Sequence, residues 1–251
     1  MLSPLAELDN IGPAVAALGW RSIPRWRDIV AHLPGAPLFA ERGSLMLAHR
    51  GDLGAAQRVL ARLRDHGVPG MAAPQPLEAG ALTALEPALF GVAHAWLLPG
   101  EGQIDAPAVM AALHQGAPAA HWRWQCRVTE LAPGALHVAG QGWQRFDTVF
   151  DVRGVGARPA LPVRGVRGET VWLHAPDLGL TRPVRLLHPR HRVYIVPRPD
   201  DVVVIGASEI ESEDRSPVSL KSAVELMAAA HSVLPALAEA RILRQIGRAH
   251  V

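Results

Sequence analysis

The sequence predicts a mixed α/β fold, of the α+β kind, in which antiparallel strand pairs outnumber parallel ones. Three short apolar runs, rich in β-branched residues and bounded by Gly, Pro or Asp, indicate adjacent strands at 170–173, 193–196 and 202–205. The turn-forming segment 199–201 (Pro-Asp-Asp) joins the last two runs into a hairpin. The sequence lacks the repeated strand–helix–strand crossovers that a purely parallel sheet needs.

Helical and extended segments alternate through the first part of the chain. Apolar positions from 11 to 33 follow a helical period, and Pro24 either kinks that helix or begins a second one. Residues 45–48 indicate a short strand. Asp52 is then placed to cap a helix that runs to about His66.

The same alternation continues in the second part. Residues 92–98 indicate a strand, and Asp105 caps the helix that follows it. A final long helix begins at Ser216 or Ser219. Between these helices, the turn residues predict a meander of three strands at 121–131, 136–138 and 143–150.

The composition describes a globular protein and excludes several classes of partner. Of the 251 residues, 49% are hydrophobic and 19% are charged, which is ordinary for a domain with a core. The 25 basic residues nearly balance the 23 acidic ones, and no basic run is interleaved with aromatics, so no nucleic-acid partner is predicted. No apolar run approaches the roughly 20 residues of a membrane span, so no membrane partner is predicted.

Cysteine and histidine usage limits the chemistry further. Cys126 is the single cysteine, so neither an internal disulfide nor a cysteine-rich zinc site can form, and a reducing cytoplasmic location is expected. The 12 histidines show no metal-ligand spacing, and we expect no metal site.

Six short segments carry the most specific signal in the chain. They are MLSPLAE at 1–7, EGQIDA at 101–106, DVRGVGA at 151–157, LPVRGVRGE at 161–169, YIVPR at 194–198 and VIGAS at 204–208. In their order and spacing they resemble the flavin amino-acid oxidases of the D-amino-acid oxidase family, and within it the glycine oxidases of thiamine biosynthesis.

The resemblance implies a partial FAD-binding domain of the glutathione-reductase type and a substrate domain whose antiparallel sheet is flanked by helices. The pieces of the FAD-binding domain would be residues 1–43 and 101–160. The pieces of the substrate domain would be residues 44–100 and 161–244.

Two features of the family are absent from this sequence, and we expect a chain truncated at both ends. One is the G-x-G-x-x-G turn that holds the FAD pyrophosphate at a helix N-terminus. The other is a later segment whose arginine pairs with the substrate carboxylate. Residues 245–251 (QIGRAHV) match the translation of a sequencing adapter, and we expect this tail to be adapter-derived.

The implied reaction is the oxidation of a small, glycine-like amino acid by FAD. The flavin takes the α-hydrogen as hydride, the amino acid becomes an imine, and dioxygen reoxidises the flavin to give hydrogen peroxide. A homo-oligomer is familiar in this family. The fragment alone is expected to be inactive, because it lacks the phosphate turn. Alternatives are another D-amino-acid or secondary-amine oxidase or dehydrogenase, and a non-catalytic interaction remnant.

Three residues are candidates for substrate binding by their place in the family pattern. Tyr194 matches the pocket tyrosine whose hydroxyl contacts the substrate carboxylate, and Arg192 and Glu209 fall at variable pocket positions. Each has a plainer alternative: Tyr194 as a strand residue packed on the core, Arg192 as a solvated strand residue, and Glu209 as a loop carboxylate. No side chain is assigned as catalytic, because the cofactor carries the chemistry.

Five residues are candidates for cofactor binding on the same basis. Met1 and Leu2 would lie near the flavin ring, and the backbone of Val128 would reach the adenine. Gly154 and Gly156 would let the backbone approach FAD closely, although a bare turn would equally use glycine. Val128 is otherwise an ordinary strand residue.

Overall fold

The structure is a computed structural model that describes residues 1–9, 12–188 and 193–250, with only the backbone described at 249–250. Its helices, numbered in chain order, are α1 (Pro4–Glu7), α2 (Pro13–Ala31), α3 (Leu53–Asp65), α4 (Ala79–Leu85), α5 (Ala106–Gln115) and α6 (Leu220–Val233). None of the helices in this described part is long and apolar enough to cross a bilayer.

The strands fall into three sheets. A two-stranded sheet pairs β1 (Phe39–Ala40) with β5 (Gln103–Ile104). A meander contains β6 (Val128–Ala132), β7 (Ala135–Val138) and β8 (Gly142–Arg145). The large sheet contains β2 (Ser44–Ala48), β3 (Gln75–Leu77), β4 (His94–Leu98), β9 (Val166–His174), β10 (Val184–Leu186), β11 (Val193–Arg198), β12 (Val202–Gly206) and β13 (Arg241–His250).

The large sheet has the strand order β13-β9-β12-β11-β10-β2-β4-β3, and its neighbours are antiparallel except for the parallel pair β10–β2. The mixed α/β fold class is therefore confirmed. The predicted hairpin is β11–β12, and Asp200 and Asp201 in its turn adopt φ of 60° and 55°. Asp tolerates this left-handed conformation better than most residues, which is why the turn forms here.

Successive residues of β11 point to opposite faces of the sheet, because side chains alternate along a strand. Val193 and Ile195 are buried in a large apolar core that includes the inner face of α6. Tyr194, Val196 and Arg198 point to the other face, where they line a cavity. The sheet thus separates its main core from the site described below.

A second, smaller core lies on the cavity side of the sheet. It joins α1 and α3 to buried residues of β2 and β4, among them Met46 and Leu98. Leu5 and Ala6 of α1 are almost completely buried in it. This packing fixes the N-terminal segment against the sheet, and that segment becomes one wall of the cavity.

The predicted meander is too long at both ends, because its last strand, β8, ends at Arg145 and not at residue 150. Residues 121–127 were expected to begin the meander, but its first strand begins at Val128. The alternating Trp122 and Trp124 stack on each other, with ring centroids 5.7 Å apart, and Trp122 contacts His114 of α5. Trp122 and Trp124 therefore belong to a local aromatic cluster beside α5 and not to a strand of the meander.

Strand β13 was not predicted and covers most of the expected tail. Residues 245–250 continue β13 and pair with β9, from Gln245 opposite Val171 to His250 opposite Val166. The large sheet uses residues 44–98 and 166–250. The division into FAD-binding and substrate domains, and the origin of residues 245–251, stay predictions.

Candidate active site

A cavity of about 440 Å³ opens between the N-terminal segment, helix α2 and the large sheet. The sheet contributes Arg185, Tyr194, Val196, Arg198 and Val204. The strand register explains this set: Arg185 lies opposite Tyr194, and Val196 lies opposite Val204. Opposite and alternate residues share one face of a sheet, so these side chains converge on one wall.

The facing wall is formed by residues 1–4, Glu7 and three residues of α2, namely Val15, Gly19 and Ser22. The amide of Leu2 donates to the carbonyl of Gly102 at 2.8 Å, and the Gly102 amide donates back to Leu2 at 2.9 Å. A Cβ at Gly102 would lie 2.0 Å from the Ala40 carbonyl oxygen, so only glycine fits there. These contacts hold the first residues at the cavity edge.

Glu101 anchors the same segment from behind the cavity. Its carboxylate accepts hydrogen bonds from the Ala6 amide at 2.9 Å and from the Ser44 hydroxyl at 2.5 Å. Complete burial raises the pKa of the Glu101 carboxyl to about 7, against the opposing effect of these hydrogen bonds and of Arg185. Glu101 therefore changes its protonation near neutral pH.

Tyr194 presents its phenol to the cavity in the protonated form. Burial raises the pKa of the Tyr194 hydroxyl above its ordinary value, although Arg185 and Arg198 act in the opposite direction. The ring lies over Gly206, the residue opposite it on β12. A protonated phenol donates one hydrogen bond, which suits a carboxylate acceptor.

Two arginines on the same wall have incomplete hydrogen bonding. Arg185 donates to the carboxylate of Glu7, and Arg198 donates through Nη1 to the side-chain oxygen of Gln103 at 3.0 Å. The Nε atoms of Arg185 and Arg198 are buried without a hydrogen-bond partner within the described chain. Burial, followed by Arg198 and Arg185, lowers the pKa of the Met1 amine to about 6.

The structure brings together three of the predicted site residues, because Met1, Leu2 and Tyr194 line this one cavity. Glu209 is exposed after β12 and is not part of the lining. Arg192 lies outside the described residues. The ligand roles of these residues stay predictions.

The other cofactor candidates lie in a different part of the chain. Val128 begins β6, and its carbonyl accepts a hydrogen bond from Arg153 at 3.4 Å. Gly154 and Gly156 belong to the 3₁₀ turn Gly154–Ala157, which directly follows Arg153. Arg153 thus ties these candidates together, apart from the cavity lining, and their contact with adenine or phosphate stays a prediction.

Sequence reasoning missed Arg185, Arg198, Glu7 and Glu101. The signal for Arg198 was present, because positions 194, 196 and 198 of one strand share a face. Arg185 needed the pairing of β10 with β11, and Glu7 and Glu101 needed the packing of α1. No pattern in the sequence alone gives those long-range contacts.

The family resemblance places Met1 and Leu2 beside the flavin ring of FAD. The structure holds these two residues at the cavity edge through the Leu2–Gly102 backbone hydrogen bonds, and Gly102 leaves room for the Ala40 backbone. The sequence has no G-x-G-x-x-G turn for the pyrophosphate. The contact of Met1 and Leu2 with the flavin ring stays a prediction.

Comparisons with known proteins agree with the resemblance in the sequence. A family model described as FAD dependent oxidoreductase matches residues 1–249. A protein of Rhizobium etli, assigned as the thiamine biosynthesis oxidoreductase ThiO, is 35% identical over 244 residues. The match covers 96% of this chain and 68% of that relative.

Solved structures share the fold. Glycine oxidase from Geobacillus kaustophilus superposes with a TM-score of 0.79 at 25% identity, covering 99% of this chain and 70% of that one. Glycine oxidase from Bacillus cereus superposes with a TM-score of 0.75 at 19% identity, covering 97% of this chain and 67% of that one, and supports the fold alone.

Proposed function

Because the chain belongs to the FAD-dependent oxidoreductases of the D-amino-acid oxidase family, we propose that it oxidises a small, glycine-like amino acid. The family, the FAD cofactor and the enzyme class predicted from the sequence are confirmed. The observation that carries the proposal is the shared cavity of Tyr194 and the Met1–Leu2 edge. This cavity brings together Tyr194, whose hydroxyl can donate a hydrogen bond to a carboxylate, and the Met1–Leu2 segment, which the family pattern places near the flavin.

The residues of this chain bind and orient the substrate. The Tyr194 hydroxyl donates a hydrogen bond to the substrate carboxylate. The arginines on the same wall supply the positive potential that attracts an anion. The α-carbon is thereby turned toward the Met1–Leu2 edge. When FAD is bound, it supplies the acceptor for the α-hydrogen, and dioxygen is the final oxidant.

The finer assignments follow from the relatives' names and from the sequence. We propose a role in thiazole formation during thiamine biosynthesis, because the Rhizobium etli relative carries that name. We also propose a cytoplasmic location and a homo-oligomeric parent protein. The isolated chain is expected to be inactive, because it has no phosphate-binding turn for FAD.

The experiment is purification of the product of the complete gene, followed by its absorption spectrum and a peroxide assay with glycine. The proposal predicts a yellow protein that makes hydrogen peroxide from glycine and dioxygen. A yellow protein that is active only with proline-like or D-configured substrates would favour the other amine oxidases or dehydrogenases. A colourless protein would favour a non-catalytic interaction role.

A further inference from the structure

Two guanidinium groups reach the candidate active site from one wall of the sheet. Arg185 has a side chain that is only 13% exposed, and Arg198 is half-buried. Both line the 440 Å³ cavity, and the Nε atom of each is buried without a hydrogen-bond partner within the described chain. Both guanidinium groups carry further N–H donors, which an acceptor bound in the cavity would satisfy.

The charges around the cavity favour an anion as that acceptor. Glu7 neutralises Arg185, whereas Arg198 contacts the neutral side chain of Gln103. Burial, the larger effect, lowers the pKa of the Arg198 guanidinium. Asp105, which lies outside the cavity lining, raises that pKa. The lining therefore has an excess of positive charge, which a bound carboxylate would balance.

The wall has two cationic ends and an apolar middle. Arg185 sits beside Tyr194, and Arg198 lies four residues further along β11. Four residues of a strand span about 13 Å between backbone positions. Val196 and its partner Val204 occupy the wall between these ends. A ligand that matches this pattern has two anionic ends joined by a short carbon chain.

We propose that this cavity binds an amine substrate with two carboxylates, one at Arg185 and Tyr194 and the other at Arg198. This inference rests on the proposed function and specifies its substrate class. The Arg185–Tyr194 end holds one carboxylate through charge-assisted hydrogen bonds, and Arg198 selects for the second acidic group. Glycine, with a single carboxylate, would leave the Arg198 end unsatisfied.

The test measures binding to this chain as it exists, without FAD. Isothermal titration calorimetry compares succinate with acetate at pH 7.5. We expect succinate to bind about tenfold more tightly, because one additional charged hydrogen bond contributes at least that factor. Equal affinities for the two probes, or no binding of succinate, would overturn the proposal.

Three variants locate the binding. Arg198→Gln should reduce the affinity for succinate to that for acetate, and Arg185→Gln should weaken both probes about tenfold. Arg241→Gln is the matched control, because Arg241 is exposed and outside the cavity lining. If Arg198→Gln does not fold, Arg198→Lys replaces it, and succinate should then bind about tenfold more weakly. Unchanged succinate affinity in the Arg198 variant would overturn the proposal.

The outcome is independent of the oxidase assay. If succinate binds as expected but the product of the complete gene makes no peroxide with any amine, the oxidase function fails and the dicarboxylate subsite stands. If that protein oxidises glycine while this chain shows no preference for succinate, the subsite fails and the oxidase function stands.

Discussion

Glu101 is an acidic group enclosed by the fold at the point where α1 meets the sheet. Its carboxylate is completely buried, and it accepts hydrogen bonds from the Ala6 amide and the Ser44 hydroxyl, while the described residues form no salt bridge with it. Burial without a counter-ion disfavours ionisation, which is why the pKa of Glu101 rises from the ordinary 4.5 to about 7. The charge of this residue therefore affects stability within the physiological pH range.

We expect the free energy of unfolding to fall as the pH rises from about 4.5 to about 7. In this pH window the folded protein keeps the Glu101 proton that the unfolded chain releases. Unfolding therefore releases a proton, and a higher pH favours unfolding. The lost stability is about 3 kcal/mol, from the rise in the pKa of Glu101 from 4.5 to about 7. Urea unfolding of the wild type and of Glu101→Gln at pH 5 and pH 7.5 measures the difference.

Glu101→Gln is informative because Gln cannot ionise yet keeps an acceptor oxygen. The Met1 amine, whose pKa is lowered to about 6, gives the opposite slope between pH 6 and 8, but it is present in both proteins. Between pH 5 and pH 7.5, the free energy of unfolding of the wild type should fall relative to that of Glu101→Gln. Parallel pH profiles for the two proteins would contradict the burial argument.

Gly206 is required by the ring that lies over it. A methyl group at this position would lie 2.6 Å from the Tyr194 hydroxyl oxygen and 2.8 Å from the Thr170 methyl carbon. We expect Gly206→Ala to lower the free energy of unfolding by about 1–3 kcal/mol, because a rigid ring in a packed sheet must move. Gly51→Ala, where no atom lies within 4 Å, should change it by less than about 0.5 kcal/mol. Thermal unfolding of both variants tests this, and equal midpoints would count against the placement of Tyr194.

At the scale of elements, a buried ion pair ties β9 to the start of α6. Arg167 and Glu169 are 3% and 1% exposed, and Arg167 donates to Glu169 at 2.9 Å and 2.8 Å. Arg167 also binds the carbonyls of Ser216 and Pro217, and Glu169 accepts from the Ser219 amide, the N-cap of α6. The pair thus positions the loop that leads into this helix.

We expect Glu169→Gln to destabilise the protein by about 3–5 kcal/mol, because it leaves the Arg167 charge buried without a counter-ion. Glu211→Gln is the matched control, since the Arg164–Glu211 pair is 76% and 65% exposed. An exposed pair contributes at most about 1 kcal/mol. Urea unfolding of the two variants should separate them clearly, and similar midpoints would show that the buried pair has no such role.

The elements that local chemistry defines could be predicted from the sequence. The β11–β12 hairpin follows from β-branched runs and an Asp-Asp turn. Helix α6 is capped by Ser219, one of the two serines predicted to start it, whose side chain accepts from the Ser222 amide. Elements that depend on distant partners could not be predicted. Strand β13 is specified by β9, and the residues 121–127 are shaped by stacking beside α5.

The candidate site shows the same division between local and long-range information. Tyr194 could be singled out because its strand motif is local and resembles a known family. Arg185 could not, because only the register of β10 against β11 places it opposite Tyr194. Glu209 could be named from its position in the chain, but the exposed loop after β12 leaves it outside the cavity lining.

At the scale of the whole molecule, the large sheet organises both stability and function. One face is buried against α6, and the other carries the cavity and the smaller core with α1 and α3. Several large apolar side chains elsewhere remain exposed in this chain, including Trp124, Phe150 and Val152. They lie within residues 101–160, the expected FAD-domain piece.

The central claim is that the cavity between the Met1–Leu2 edge and the Tyr194 wall holds the amine substrate. The most direct measurement is a crystal structure of the product of the complete gene with FAD and a bound amino acid. The account predicts a substrate carboxylate within hydrogen-bonding distance of the Tyr194 hydroxyl, on the wall that also carries Arg185. An amino acid bound elsewhere, or a cavity filled by another segment of the protein, would contradict it.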